Sequence, residues 1–363
     1  MALASLCVTQ KEALMITAKA RSTAGPRVPF ETTVIERREV GPHDVLIDIA
    51  YAGICHSDIH TARNEWGPAT FPLVPGHEIA GIVAGVGSEV TRFKLGDRVG
   101  VGCFVDSCRS CEHCKAGEEQ HCTNGPLWTY GAIGPDGRST AGGYSQKIVV
   151  DENYTVSIPD SIPLEAAAPL LCAGITMYSP LKRFGTGPGK NVAIVGMGGL
   201  GHMGVKIARA MGARVTVLSQ SLAKKDDGLR LGATDYFATS DGATFEQLAR
   251  SFDVVVSTLS VAVDMAPYLR LMKLDGTFVL VGVPEGPMSI HAGALIGGRV
   301  KLTGSLIGGI AETQEMLDFC GQHGLGAEVE VIDASRIDEA YDRVVASDVR
   351  YRFVIDIATL GSD

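Results

Sequence analysis

Two packed domains of mixed α/β type are what this sequence predicts: a β-rich one, and one built on a doubly wound parallel sheet. Three observations carry the prediction. The chain has 363 residues, about two domains at the usual size. Its first half is made of short β-branched runs bounded by Gly, Pro or Asp, the pattern of strands and tight turns. From Asn191 onward, strand-like and helical runs alternate, which implies parallel strands with right-handed crossovers.

The elements follow in order. Residues 45–51, 78–87 and 97–102 read as strands. NVAIVG, from Asn191, reads as a buried strand, followed by a helix to Met211. RVTVLS is the next strand, with a helix near 223–231. DYFAT, FDVVVST and GTFVLVG are further strands. Residues 311–323 and 337–346 read as helices, and 350–357 as a final strand that returns to the first domain.

Composition excludes several classes of function. Hydrophobic residues at 45% and charged residues at 20% exclude a disordered chain. A net charge of −9 argues against nucleic acid and anionic membrane surfaces as partners. The longest uncharged stretch, 166–181, is short for a membrane span and holds Pro169 and Pro180. No basic start precedes an apolar run at the N-terminus, so no secretory leader and a cytoplasmic setting are expected. Five of the nine cysteines lie between Cys103 and Cys122, a clustering that favours a metal over disulfides.

Gly196, Gly198, Gly199 and Gly201, with Leu200 among them, sit between a strand and a helix. Such a turn lets the backbone approach a pyrophosphate at the helix N-terminus. The competing reading is a tight turn with no ligand. A NAD site usually carries an acid at the end of the second strand. Here Ser219, Gln220 and Ser221 stand there, followed by Lys224 and Lys225. Hydroxyls and ammonium groups suit a 2′-phosphate, so NADP(H) is expected. Ser219 and Ser221 could instead cap the next helix, and both roles can coexist. Val281 and Val283 lie at the C-terminal end of a strand, where ligands bind open α/β sheets.

Cys108, Cys111, Cys114 and Cys122 read C-x2-C-x2-C-x7-C. Short spacings let one loop wrap four thiolates around a tetrahedral zinc. No position is left for water, so this zinc is expected to be structural. The spacing matches neither of the usual ferredoxin runs. Cys103 is the spare, and His113 and His121 read as solvated loop residues.

Three scattered pieces remain: GICHSDIH from Gly53, PGHE from Pro75 and LLCAG from Leu170. Together with GDRVGVG, the cysteine loop, GMGGLGHMGVKIA and LRLGA, in that family's order, they make the chain resemble the zinc-dependent medium-chain alcohol dehydrogenases. The nearest likeness is to the cinnamyl alcohol dehydrogenase-like branch. The resemblance implies a GroES-like catalytic domain over 1–168, completed by 311–363, and a Rossmann cofactor domain over 169–310. It implies a catalytic zinc on Cys55, His77 and Cys172 with one open position, hence two zincs per chain. Glu78 could approach that metal. Asp58 would accept the free ring N–H of His77; its alternative reading is a helix cap. Ser57 and His60 would form a proton relay through the cofactor ribose, and His56 a contact to the cofactor phosphates. Thr176 and Ser305 would line the cofactor cleft. Trp66, Leu127, Trp128 and Tyr130 would wall a pocket for aryl or long aliphatic aldehydes. The implied activity is interconversion of small-molecule alcohols and aldehydes, mainly aldehyde reduction, by a homodimer joined through its cofactor domains. Two alternatives are a polyol dehydrogenase of the same superfamily and a non-catalytic NADP- and zinc-binding redox sensor; the latter would have no need of Ser57 and His60.

Overall fold

Alternating burial builds the first sheet. In the strand Asp44–Gly53, Val45, Ile47 and Ile49 point inward while Asp48 is exposed, the period of a half-buried strand. Ile79–Val86 and Lys147–Asp151 pair with it antiparallel. The sheet has seven strands, running Val329–Asp333, Arg352–Asp356, Asp44–Gly53, Ile79–Val86, Arg98–Val101 and Val156–Ser157, with Lys147–Asp151 beside Asp44–Gly53. A separate hairpin joins Ile16–Ser22 to Glu31–Arg37. Full burial of Ile47 and Ile79 stabilises the sheet by about 1.5–3 kcal/mol per side chain.

The second sheet has six parallel strands, in the order Asp235–Ala238, Arg214–Ser219, Asn191–Val195, Phe252–Ser257, Met272–Leu280 and Lys301–Gly304. Val192 to Val195 are at most 1% exposed, as a central strand covered on both faces requires. Strand order reverses at Asn191–Val195, so a crevice opens at its C-terminal end. The helix Gly199–Ala210 starts there. It packs on Ala173–Arg183, with Gly204 so close that a Cβ would lie 2.4 Å from Met177 Cε.

The computed structural model describes residues 15–135, 137–284 and 286–361. Cys7 and the N-terminal stretch read above for a leader lie outside them. The expected elements of both sheets are present, with ends shifted by at most four residues. The strands Ile16–Ser22, Glu31–Arg37, Val329–Asp333 and Lys301–Gly304 were not among those expected. Among the described residues no helix is long and apolar enough to cross a membrane.

Candidate active site

The helix His56–Ala62 starts at Cys55, which keeps extended backbone angles. The Asp58 carboxylate accepts the Cys55 N–H at 2.9 Å, so Asp58 caps the helix that presents Cys55. It also accepts His77 Nδ1–H at 3.0 Å and the Gly76 N–H at 3.2 Å, and Tyr144 donates to it at 3.3 Å. The cap and the histidine partner are therefore the same group. Its grip on Nδ1 leaves His77 Nε2 as the ring's ligand atom. Cys172 stands immediately before the helix Ala173–Arg183.

These elements converge. One ligand atom from each of Cys55, His77, Glu78 and Cys172 lies within 4.8 Å of the others, and all four residues are buried. The Sγ atoms of Cys55 and Cys172 are 3.9 Å apart. Two thiolates at Zn–S 2.3 Å on a tetrahedron would stand about 3.8 Å apart. Two sulfurs, an imidazole and a carboxylate form a donor set suited to zinc. Among the described residues Glu78 Oε2 is buried without a hydrogen-bond partner, an orphan that a cation would satisfy.

Arg352 belongs to this cluster, and the sequence reading missed it. It is 5% exposed and pairs with Glu78 Oε1. A Cβ at Gly199 would lie 2.7 Å from its Cδ, so the guanidinium stem joins the metal cluster to the glycine turn. Burial pushes the Glu78 carboxyl up to about 7, against the pull of Arg352. An arginine opening the apolar run Phe353–Ile355 was the signal in the sequence.

Ser57 Oγ lies 3.7 Å from Cys55 Sγ. His60 Nδ1 is 2.6 Å from Glu65 Oε2, and its ring stacks on Trp66 at 4.8 Å. Glu65 was also missed; its spacing of five from His60 is not a helical one, and a turn after Ala62 brings it back. His56 is exposed, with its ring 5.5 Å from that of His60. Tyr130 stacks on His77 at 5.8 Å and reaches the Thr61 hydroxyl at 3.4 Å. Trp66 and Trp128 are 53% and 39% exposed. Leu127 lines a cleft with Arg37, Arg109 and Asp151.

At the crevice, Gly196 has φ +95°, a conformation that favours glycine. A Cβ at Gly201 would lie 1.8 Å from the Gly196 carbonyl oxygen, whereas one at Gly198 would meet nothing within 4 Å. The turn is thus closed on its protein side and open at Gly198, the cradle a pyrophosphate needs. Leu200 is half-buried beside it. Lys224 precedes the helix Lys225–Arg230 and has no side-chain cap. Ser221 accepts the Ala223 N–H at 3.4 Å, so neither serine caps that helix, contrary to the alternative reading. Gln220 and Val283 are exposed, Ser219 and Val281 half-buried, and Thr176 buried. The Ser305 N–H donates to the Leu280 carbonyl at 3.0 Å.

The four loop cysteines also converge within 4.8 Å. Cys108 and Cys114 sulfurs are 3.9 Å apart, and those of Cys111 and Cys114 3.4 Å. The N–H groups of Cys108 and Cys111 point at the sulfurs of Cys122 and Cys108. Cys103 stands apart, its sulfur 3.9 Å from the Leu171 carbonyl.

Residues 41–160 match the family described as alcohol dehydrogenase GroES-like domain, and 199–322 that described as zinc-binding dehydrogenase. An "NADP-dependent alcohol dehydrogenase C 1" of Mycolicibacterium smegmatis is 62% identical over 96% of this chain and 100% of its own length. A cinnamyl alcohol dehydrogenase structure from Sorghum bicolor superposes with TM-score 0.92 at 43% identity, covering 94% of this chain and 98% of that one. One from Helicobacter pylori, complexed with NADP(H), has TM-score 0.90 and 44% identity, over 95% and 99%. With both halves matched and the likeness running almost end to end, this chain belongs to the zinc-dependent medium-chain alcohol dehydrogenases, in the NADP-dependent branch that holds the cinnamyl alcohol dehydrogenases.

Proposed function

We propose that this enzyme mainly reduces aromatic or medium-chain aldehydes to primary alcohols with NADPH. The convergence of Cys55, His77 and Cys172 beside the open Gly198 turn carries the reading. Zinc held by those three groups, with Glu78 as an alternative ligand, supplies Lewis acidity toward the carbonyl oxygen, and NADPH supplies the hydride. The chain's own residues do the rest. Asp58 fixes the His77 ring and the Cys55 backbone. Ser57, beside Cys55, gives a proton to the substrate oxygen, and His60, held by Glu65, restores it. Tyr130, Trp66 and Trp128 present aromatic faces that exclude water and suit an aryl group.

The four loop cysteines hold a structural zinc. Ser219, Gln220, Ser221 and Lys224 take the 2′-phosphate end of the cofactor. His56, Thr176, Val281, Val283 and Ser305 line its path. The borders at 168/169 and 310/311 belong to the same reading, supported by Arg352–Asp356 joining the first sheet. So does a homodimer: Lys301–Gly304 is an edge strand, and Ile296 and Leu306 near it are 76% and 45% exposed, a surface a second copy would cover. The thiol clusters support a reducing, cytoplasmic setting. Turnover of cinnamaldehyde with NADPH, compared with cinnamyl alcohol with NADP, tests the direction. Faster oxidation at neutral pH would reject it. Light scattering on the eluting protein tests the dimer; a monomer at micromolar concentration would reject that.

A further inference from the structure

The residues just before Arg352 reach a place that no metal ligand occupies. Arg350 Nε donates to Asp227 Oδ2 at 3.0 Å, and Tyr351 Oη donates to the same oxygen at 2.9 Å. Asp227 lies in the first turn of the helix Lys225–Arg230. Tyr351 is 2% exposed. Its ring carries two partners. The His202 imidazole stacks on it at 5.1 Å with the planes 9° apart, and the Lys224 ammonium lies 5.2 Å from its centroid. A cation over an aromatic face is attracted by the ring's negative face. Tyr351 is therefore the seat of Lys224.

The hydrogen bonds of this corner leave donors over. Lys224 gives one, to the Met197 carbonyl at 3.3 Å. Arg350 gives only its Nε; its terminal nitrogens make no hydrogen bond among the described residues. Asp227 is matched by a second arginine, Arg230, at 3.4 Å. Burial, and then the nearby Arg350, hold the Lys224 ammonium below the usual lysine range. Two cations kept near one another make a site that an anion relieves. An independent observation points the same way. Tyr236 is 5% exposed, and its buried hydroxyl, beside Ser219, makes no well-formed hydrogen bond among the described residues. It faces Ser219 and the Arg350–Asp227 pair. Gly228 admits its ring, since a Cβ there would lie 2.6 Å from Tyr236 Cδ2.

We infer that Arg350 is a second cation for the 2′-phosphate of NADP beside Lys224, and that Tyr351 is the positioning residue that seats Lys224. This rests on placing that phosphate at the Ser219–Lys224 corner. Lys224 comes from the parallel sheet's domain. Arg350 and Tyr351 come from the segment that leads into the first sheet. Selection of NADP over NAD is thus shared between the two, and a phosphate monoester dianion accepts from both as charge-assisted bonds.

The test is calorimetric titration of the zinc-loaded protein with adenosine 2′,5′-bisphosphate and with 5′-AMP. The ratio of the two dissociation constants is unaffected by any loss of folded fraction. Arg350→Gln is expected to weaken the bisphosphate about tenfold and 5′-AMP less than about twofold. Tyr351→Leu should lower the ratio by a similar factor, and Tyr351→Phe, which keeps the ring face, should restore most of it. If Arg350→Gln weakens both ligands alike, or neither, the inference is overturned. If Lys224→Ala abolishes discrimination while Arg350→Gln and Tyr351→Leu do not, the inference fails and the corner assignment stands. If none of the three alters the ratio, both fail.

Discussion

Oδ1 of Asp58 stands 3.0 Å from Nδ1 of His77, while Oδ2 of the same carboxylate takes the Cys55 N–H at 2.9 Å. One fully buried side chain thus orients two candidate metal ligands from different segments. Asp58→Asn puts an amide N–H where two N–H groups already point. Zinc affinity should fall by about 10–100-fold, read by competition with a chelator. Unchanged affinity would remove Asp58 from the ligand-holding role.

His60 meets Glu65 on one side and Trp66 on its face. His60→Ala should lower kcat by about 10²-fold at pH 7, with NADPH affinity less affected. Glu65→Gln should cost less, since the ring remains. Stopped-flow rates of NADPH oxidation report both. A loss confined to KM would contradict a role in proton transfer.

Gly201 and Gly198 differ in what a methyl group would meet. Gly201→Ala should destabilise the cofactor domain by about 3 kcal/mol or more, an overpacking cost at its upper range. Gly198→Ala should leave Tm nearly unchanged yet weaken NADPH, because the added group fills the cradle. Thermal melts with and without NADPH separate the two outcomes. Equal melting losses in both variants would remove the distinction.

His202 is buried between helix and tail, with Lys206 and Arg352 near it, and its imidazole is pushed down to about 3, first by burial and then by those cations. The unfolded chain binds this proton below about 6.5 while the folded one does not. Stability is therefore unaffected above that pH and falls as pH drops from about 6.5 toward 3, by at most about 1.4 kcal/mol per unit from this group. His202→Gln keeps an acceptor for the Glu328 N–H and should flatten the acid limb of urea midpoint against pH. A limb of unchanged slope would exclude His202 as its source.

Two groups of ligating residues imply two zincs per chain. Cys111→Ser should leave about one by elemental analysis and lower Tm, because a four-thiolate site contributes folding free energy directly. Retention of both metals would place the second elsewhere.

Local chemistry was the legible part of the sequence. The cysteine loop closes on itself within fifteen residues, so spacing alone defined it. The glycine turn follows a strand whose apolar run announces it. The metal cluster was different. Cys55, His77 and Cys172 carry no mutual spacing rule, and only the resemblance to a family brought them together. Arg352, Tyr351 and Tyr144 reach the site through contacts between distant segments, which periodicity does not encode.

The strand Asp44–Gly53 hydrogen-bonds to Arg352–Asp356, with Val354 opposite Gly53. A ribosome working at about 5–20 residues per second delivers that partner roughly 15–60 s after Gly53 has been joined to the chain. Throughout that interval Tyr51 to Gly53 offer a bare stretch of edge to whatever surrounds them. The parallel sheet, by contrast, is synthesised in one uninterrupted block. Translation therefore hands the cell a finished nucleotide-binding unit tethered to an unfinished reaction chamber, and chaperone demand should concentrate on the first 170 residues.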